Sequence, residues 1–195
     1  MSKIAQLIYL AWLLCILILF YYYFGKHINR FDPSNISYEV PDLEGEWQRL
    51  TEEILGDFKT QRDQVYVFHW LNLNCNCAKY AITYIKSLHL KKNNVSHVVL
   101  IPEYQSKRRI ELPDYFSVKI VGEHLYKETQ RLLPSSPAVS IYKTGFSQIS
   151  YVGPHSGGNL CGKGTSFIEL TLNNIDHGFN PRYMNYQQSG CFCKW

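Results

Sequence analysis

The chain has 195 residues, a formal net charge of +4, and 18% charged against 46% hydrophobic residues. That length suits one domain plus an anchoring element, and it can bury a core without depending on disulfides. The mild, scattered charge argues against a nucleic-acid partner: the one basic run, Lys107-Arg108-Arg109, is short and reads as a solvated loop.

From Ile4 to Phe24 almost every residue is apolar, with Gln6 the clear exception. A run of about 21 such residues crosses a hydrocarbon core as a helix. It ends in Phe20-Tyr21-Tyr22-Tyr23-Phe24, and Lys26, His27 and Arg30 follow. Aromatic then basic is the order of a helix end at the headgroup level. No small-x-small cleavage site stands after it, so residues 1–30 read as a retained single-span membrane anchor. The Lys and Arg count slightly favours a cytoplasmic soluble part, whereas paired cysteines favour an oxidising compartment. The expectation is a soluble domain on the periplasmic, extracytoplasmic side of the inner membrane.

Residues 31–41 read as a linker, with Asp32-Pro33 and Val40-Pro41 as breakers. From Asp42 the spacing of Leu43, Trp47, Leu50, Ile54 and Phe58 predicts a helix. Val65-Tyr66-Val67-Phe68-His69-Trp70 predicts a buried strand, and Ala78 to Leu90 a helix after an Asn-rich loop. Ser96 to Ile101 predicts a second strand, Tyr115 to Val121 a third, and Glu123 to Leu133 a helix. Ala138 to Tyr142 and Gln148 to Val152, joined through Thr144-Gly145, predict a hairpin. A Gly-rich loop, 153–164, leads to a last helix over Ser166 to Asp176. The tail, 179–195, reads as irregular, which puts the folded domain at 42–178. This order implies an α/β fold, a mixed sheet with helices on both faces.

Six cysteines are present: Cys15 in the apolar stretch, Cys161, and the two Cys-x-Cys pairs Cys75/Cys77 and Cys191/Cys193. A thiol reacts as its thiolate, and the N-terminus of the helix from Ala78 favours that charge on Cys75 and Cys77. A disulfide between those two closes a tight ring, suited to an oxidant or isomerase. Cys161, in Gly-Gly-Asn-Leu-Cys-Gly, and the tail pair are candidate auxiliary redox groups, or equally a buried thiol and a staple for the tail. His69 reads as a core residue, while His155 is the better candidate for a ligand or proton-transfer role.

Three features sit where the thioredoxin-like superfamily has its site, and over residues 42–178 the chain resembles that family. They are the Cys75-Asn76-Cys77 pair after a strand ending Phe68-His69-Trp70, the Ser136-Pro137 step before the hairpin, and the helix after it. The chain also resembles a group of bacterial membrane-tethered thioredoxin-like proteins with a Gly-Pro-x-Ser-Gly stretch, a following Cys-Gly and a terminal Cys-x-Cys. The resemblance implies a cis bond at Pro137 and a site made by Cys75, Cys77 and Pro137. It departs from the usual Cys-x-x-Cys: if Trp70 matches the family tryptophan, Cys77 takes the second cysteine's place and Cys75 falls one position late.

Three functions follow as expectations. The first is a membrane-anchored thiol-disulfide oxidoreductase, acting on a protein thiol or disulfide partner through Cys75 and Cys77 without a cofactor. The second is a non-catalytic interaction module with structural disulfides. The third is a copper(I) or zinc protein, drawing ligands from Cys75, Cys77, His155, Cys161, Cys191 and Cys193. No phosphate-cradling glycine loop and no nucleophile elbow is present.

Overall fold

The computed structural model describes residues 3–27, 29–31, 42–56, 58, 62–91, 95–107, 112, 114, 116–157, 165–186 and 188–194. The N-terminal helix α1 covers Lys3–His27. Its Lys3–Tyr22 stretch has a mean hydropathy of 2.4 and no residue buried against the rest of the protein. It is therefore long and apolar enough to span a membrane.

A three-residue strand β1 (Asn29–Phe31) follows, then α2 (Leu43–Leu55), β2 (Val65–Trp70), α3 (Ala78–Lys91) and β3 (Val95–Pro102). A single 3-10 turn, Glu103–Gln105, leads to β4 (Ser117–Val121) and α4 (Glu123–Leu132). Then come β5 (Ser135–Ser136), β6 (Ala138–Lys143), β7 (Tyr151–Gly153) and α5 (Phe167–Asp176). The tail adds β8 (Tyr183–Met184), β9 (Gln188–Gly190) and β10 (Cys193–Lys194). Two helices open on side-chain caps. Asp42 accepts from the Gly45 N–H at 2.9 Å, and Ser166 accepts from the Glu169 N–H at 3.0 Å.

The main sheet has six strands in the order β4-β3-β2-β6-β7-β8. Strands β2, β3 and β4 run parallel, β6 is antiparallel to β2, and β7 is antiparallel to β6. Central β2 is buried at all six positions, as a strand covered on both faces must be. Alternation then splits its side chains between two cores. Tyr66, Phe68 and Trp70 join Val98 and Leu100 in packing on Trp47, Leu50 and Ile54 of α2 and Leu125 and Leu132 of α4. Val65 and Val67 face the other way, with Val139 and Ile141, toward Leu88 of α3 and Ile168 and Leu172 of α5.

Three sequence expectations change here. Phe31, read as the start of a linker, ends β1 and is fully buried against the rings of Tyr186 and Phe192. Residues 32–41 of that linker lie outside the described residues. The tail is ordered into strands: β8 pairs with β7, β9 with β1, and β10 with β5. Each tail strand is two or three residues long, too short for a sequence period to register, and its order comes from partners far away in the chain. The second hairpin strand is also shorter than expected, beginning at Tyr151 rather than Gln148.

Candidate functional site

The β2–α3 loop is built by side chains that satisfy its backbone. The Leu71 N–H donates to Leu100 O, continuing the β2–β3 pairing past the last strand residue. The Asn72 N–H donates to Ser136 Oγ at 2.7 Å, and the Asn74 N–H to Asn72 Oδ1 at 3.0 Å. Gln105, buried on the turn after β3, accepts from the Leu73 N–H and donates to Asn72 Oδ1, each at 2.7 Å. Two turns, Cys75 N–H to Asn72 O and Ala78 N–H to Cys75 O, then deliver the chain into α3. Cys75 and Cys77 come out buried on either side of the exposed Asn76, at the N-terminus of that helix.

Opposite them, β5 pairs antiparallel with β10, with Ser136 facing Cys193 and Ser135 facing Lys194. The Ser136–Pro137 peptide bond is cis, and Cys75 Sγ lies 3.5 Å from Ser136 O. The tail strand therefore sits directly on the cysteine loop. Cys75 bonds to Cys193 and Cys77 to Cys191, with Cα–Cα distances of 5.7 and 5.8 Å. Both distances fall in the ordinary disulfide range. This corrects the expectation of a Cys75–Cys77 disulfide. Those two side chains reach across to an antiparallel tail at matching register, whereas bonding to each other would close the tightest of rings.

The two cross-links are unequal as staples. The first spans 118 residues. In the chain-entropy picture, closing a loop of that size stabilises by about 5 kcal/mol. Once it is made, the second closes only the small ring formed by residues 75–77 and 191–193, and contributes about 2 kcal/mol. The Sγ atoms of Cys75, Cys77 and Cys193 all lie within 4.8 Å of one another.

A second buried polar group lies on the α3–α5 face of the sheet. His69 Nδ1 is 3.0 Å from His155 Nε2, and His69 Nε2 is 2.8 Å from His97 Nδ1, so three imidazoles form one hydrogen-bonded row. All three are buried, and Tyr84 of α3 meets the edge of His155. Tyr84 is itself hydrogen-bonded to Ser166, and burial raises its phenol to about 12. Burial lowers His69 well below its ordinary value, and the neighbouring His155 and His97 add to that. Burial brings His155 down to about 3, although contact with the Pro137 backbone works in the opposite direction. At neutral pH both rings are uncharged.

At the same end of the parallel strands, a groove of about 480 Å³ is walled by Pro102, Tyr104, Val121 and Tyr126. The two phenols bond to each other at 2.9 Å across it.

The family described as a domain of unknown function (DUF6436) matches residues 44–195, from the first turn of α2 through the tail. The chain belongs to the DUF6436 family. The match takes in all four cysteines of the junction, tail included. A solved structure described as an uncharacterized conserved protein from Geobacillus kaustophilus is similar at 15% identity and a TM-score of 0.44, over 68% of this chain and 78% of that one. No curated protein matches the chain.

Of the candidate residues, this DUF6436 domain brings Cys75, Cys77, Cys191, Cys193 and Pro137 to one place. His155 joins the histidine row instead of the cysteine cluster. Cys161 lies outside the described residues, and Cys15 is exposed on α1. His97 gives no signal in the sequence. Its place beside His69 follows from the parallel register of β2 and β3, in which Val67 pairs with His97 and both histidines point to one face.

Proposed function

We propose that the chain is a membrane-tethered, thioredoxin-like interaction module in which a double disulfide fastens the C-terminal tail to the β2–α3 loop. The observation that carries this reading is the cross-pairing itself. Both sulfurs of the Cys75/Cys77 pair are engaged with the tail, which leaves no dithiol for catalysis. The thioredoxin-like assignment is supported by the central parallel pair β2–β3, the antiparallel β6–β7 hairpin and the placement of Pro137 beside Cys75. Stable disulfides persist outside the reducing cytosol, which supports a periplasmic soluble domain behind a single-span anchor. The test is a non-reducing peptide map of the purified full chain. Cys75–Cys193 and Cys77–Cys191 peptides that survive mild dithiothreitol are expected, and a Cys75–Cys77 peptide would overturn the reading.

One observation favours a second reading, thiol-disulfide exchange with a protein partner: the two disulfides adjoin closely enough for a thiolate released from one to attack the other. A partner thiolate attacking Cys193 Sγ would release Cys75 as thiolate. Cys75 would then attack Cys77 Sγ, forming Cys75–Cys77 and releasing Cys191 as thiolate. In this scheme Cys75→Ser and Cys77→Ser each abolish net disulfide exchange with a thiol-bearing reporter protein. Activity persisting in both variants excludes it.

A further inference from the structure

We propose that reduction of the junction converts its four sulfurs into a closed tetrahedral thiolate site for a thiophilic divalent ion, Zn²⁺. The proposal rests on the loop-to-tail arrangement above and adds a second, reduced state to it.

Four observations carry it. The second disulfide adds little as a staple once the first has closed the long loop, so stapling alone does not account for four cysteines at one point. Tetrahedral zinc with Zn–S bonds of about 2.3 Å needs sulfurs about 3.8 Å apart. Three of the four Sγ atoms already lie within 4.8 Å of one another, and the facing Cα atoms are 5.7 and 5.8 Å apart. Three of the sulfurs would thus reach an ion by side-chain rotation, and Cys191, bonded to Cys77 and outside that trio, would swing inward to complete the site.

The backbone on both sides is held by contacts other than the S–S bonds. The loop is tied to Gln105 and Ser136. The tail is tied by β9 on β1, by β10 on β5, and by Phe192, buried edge-on against Phe31. Finally, the surroundings suit the charge. Four thiolates around Zn²⁺ carry a net 2−, and the N-terminus of α3 lies directly beneath Cys75 and Cys77. Both sulfurs are buried, as in closed structural zinc sites. All four donors are sulfur, which selects a soft or borderline ion over magnesium or calcium.

The interconversion balances. Two disulfides and two molecules of a dithiol reductant give four thiols and two oxidised reductants. Zn²⁺ then displaces four protons. In the reverse direction two molecules of the disulfide form of that reductant, with four protons from solvent, take four electrons from the four thiolates, which re-forms both S–S bonds, regenerates two dithiols and expels the ion.

The experiment uses the full chain in detergent, fully reduced under anaerobic conditions and titrated with Co²⁺ as a spectroscopic stand-in for Zn²⁺. The expected result is one Co²⁺ per chain, with the visible bands and near-ultraviolet sulfur charge transfer of a tetrahedral thiolate site. Both should be bleached by Zn²⁺ and absent from the oxidised protein. Cys193→Ser should weaken binding and reduce the charge-transfer intensity, while Cys15→Ser and Cys161→Ser should leave both unchanged. Circular dichroism of each sample reports whether the fold persists. Reduced, folded protein that shows no thiolate bands overturns the proposal, as does reduced protein that unfolds and is not refolded by Zn²⁺. A non-reducing peptide map of the same preparation, taken before reduction, separates this from the reading above. Absence of the cross-paired disulfides there, with thiolate bands still formed after reduction, would remove the staple and leave the metal site.

Discussion

At His69 and His155 the cost of burying an ionised imidazole decides the protonation state. The folded protein holds both rings neutral, with His155 at about 3, while the unfolded chain binds protons at the ordinary histidine value near 6.5. Stability from these groups is thus complete above about pH 6.5 and is lost as pH falls from there toward 3. From pH 7 to 5 the loss is about 2 kcal/mol for each such histidine. Urea unfolding at the two pH values should show the midpoint falling on acidification, and a flat profile would contradict the assignment. Gly153 makes a different demand. Its φ is +153°, and a Cβ there would meet Asn185 O at 2.7 Å and Tyr151 Oη at 2.8 Å. Gly153→Ala should therefore cost about 2 kcal/mol or more, read as a lower thermal midpoint with the disulfides intact.

Among the elements, the short tail strands depend most on their neighbours. Strand β9 pairs with three residues and β10 with two, so backbone pairing alone does not hold them. Side chains supply the rest. Phe192 enters the α2–α4 core, and Tyr186 accepts a 2.8 Å hydrogen bond from Trp47 Nε1. Truncating a buried aromatic costs about 3–5 kcal/mol. Phe192→Ala should loosen the tail before the sheet, so that after mild reduction Cys191 and Cys193 are alkylated much faster than in the unmodified chain. Equal rates would show that the disulfides alone position the tail. Trp47→Phe leaves a void in the core and strips the buried Tyr186 hydroxyl of its donor, with an expected cost of about 2–4 kcal/mol in urea unfolding.

For the whole molecule, the arrangement of anchor and junction matters most. Helix α1 ends at His27, β1 begins two residues later, and β9 on β1 runs straight into Cys191. The apolar helix, long enough to span a membrane, and the cysteine junction are thus joined through one small strand pair. If the domain lies outside the cytoplasm, a membrane-impermeant maleimide applied to intact spheroplasts after full reduction with a membrane-impermeant phosphine should label the junction cysteines. Labelling only after lysis would place the domain inside. Deleting residues 1–27 should release the chain from membranes, measured by its recovery in the supernatant after a carbonate wash.

The sequence by itself determined what periodicity and composition encode. The apolar run of α1, the continuous β-rich runs of β2 and β3, the amphipathic α2 and α4, and the Thr144-Gly145 turn all read locally, because each element's pattern follows from which of its own faces are buried. The clustering of chemistry in two Cys-x-Cys pairs was legible for the same reason, as was the proline before β6. Partnership was not. Which sulfur bonds which depends on β10 lying antiparallel on β5, a contact between residues more than fifty positions apart that leaves no local trace. The histidine row depends on the parallel register of β2 with β3 and on the return of the chain after β7. Only the tertiary structure decided these, since long-range pairing is set by the packing of whole faces and not by the residues that end up touching.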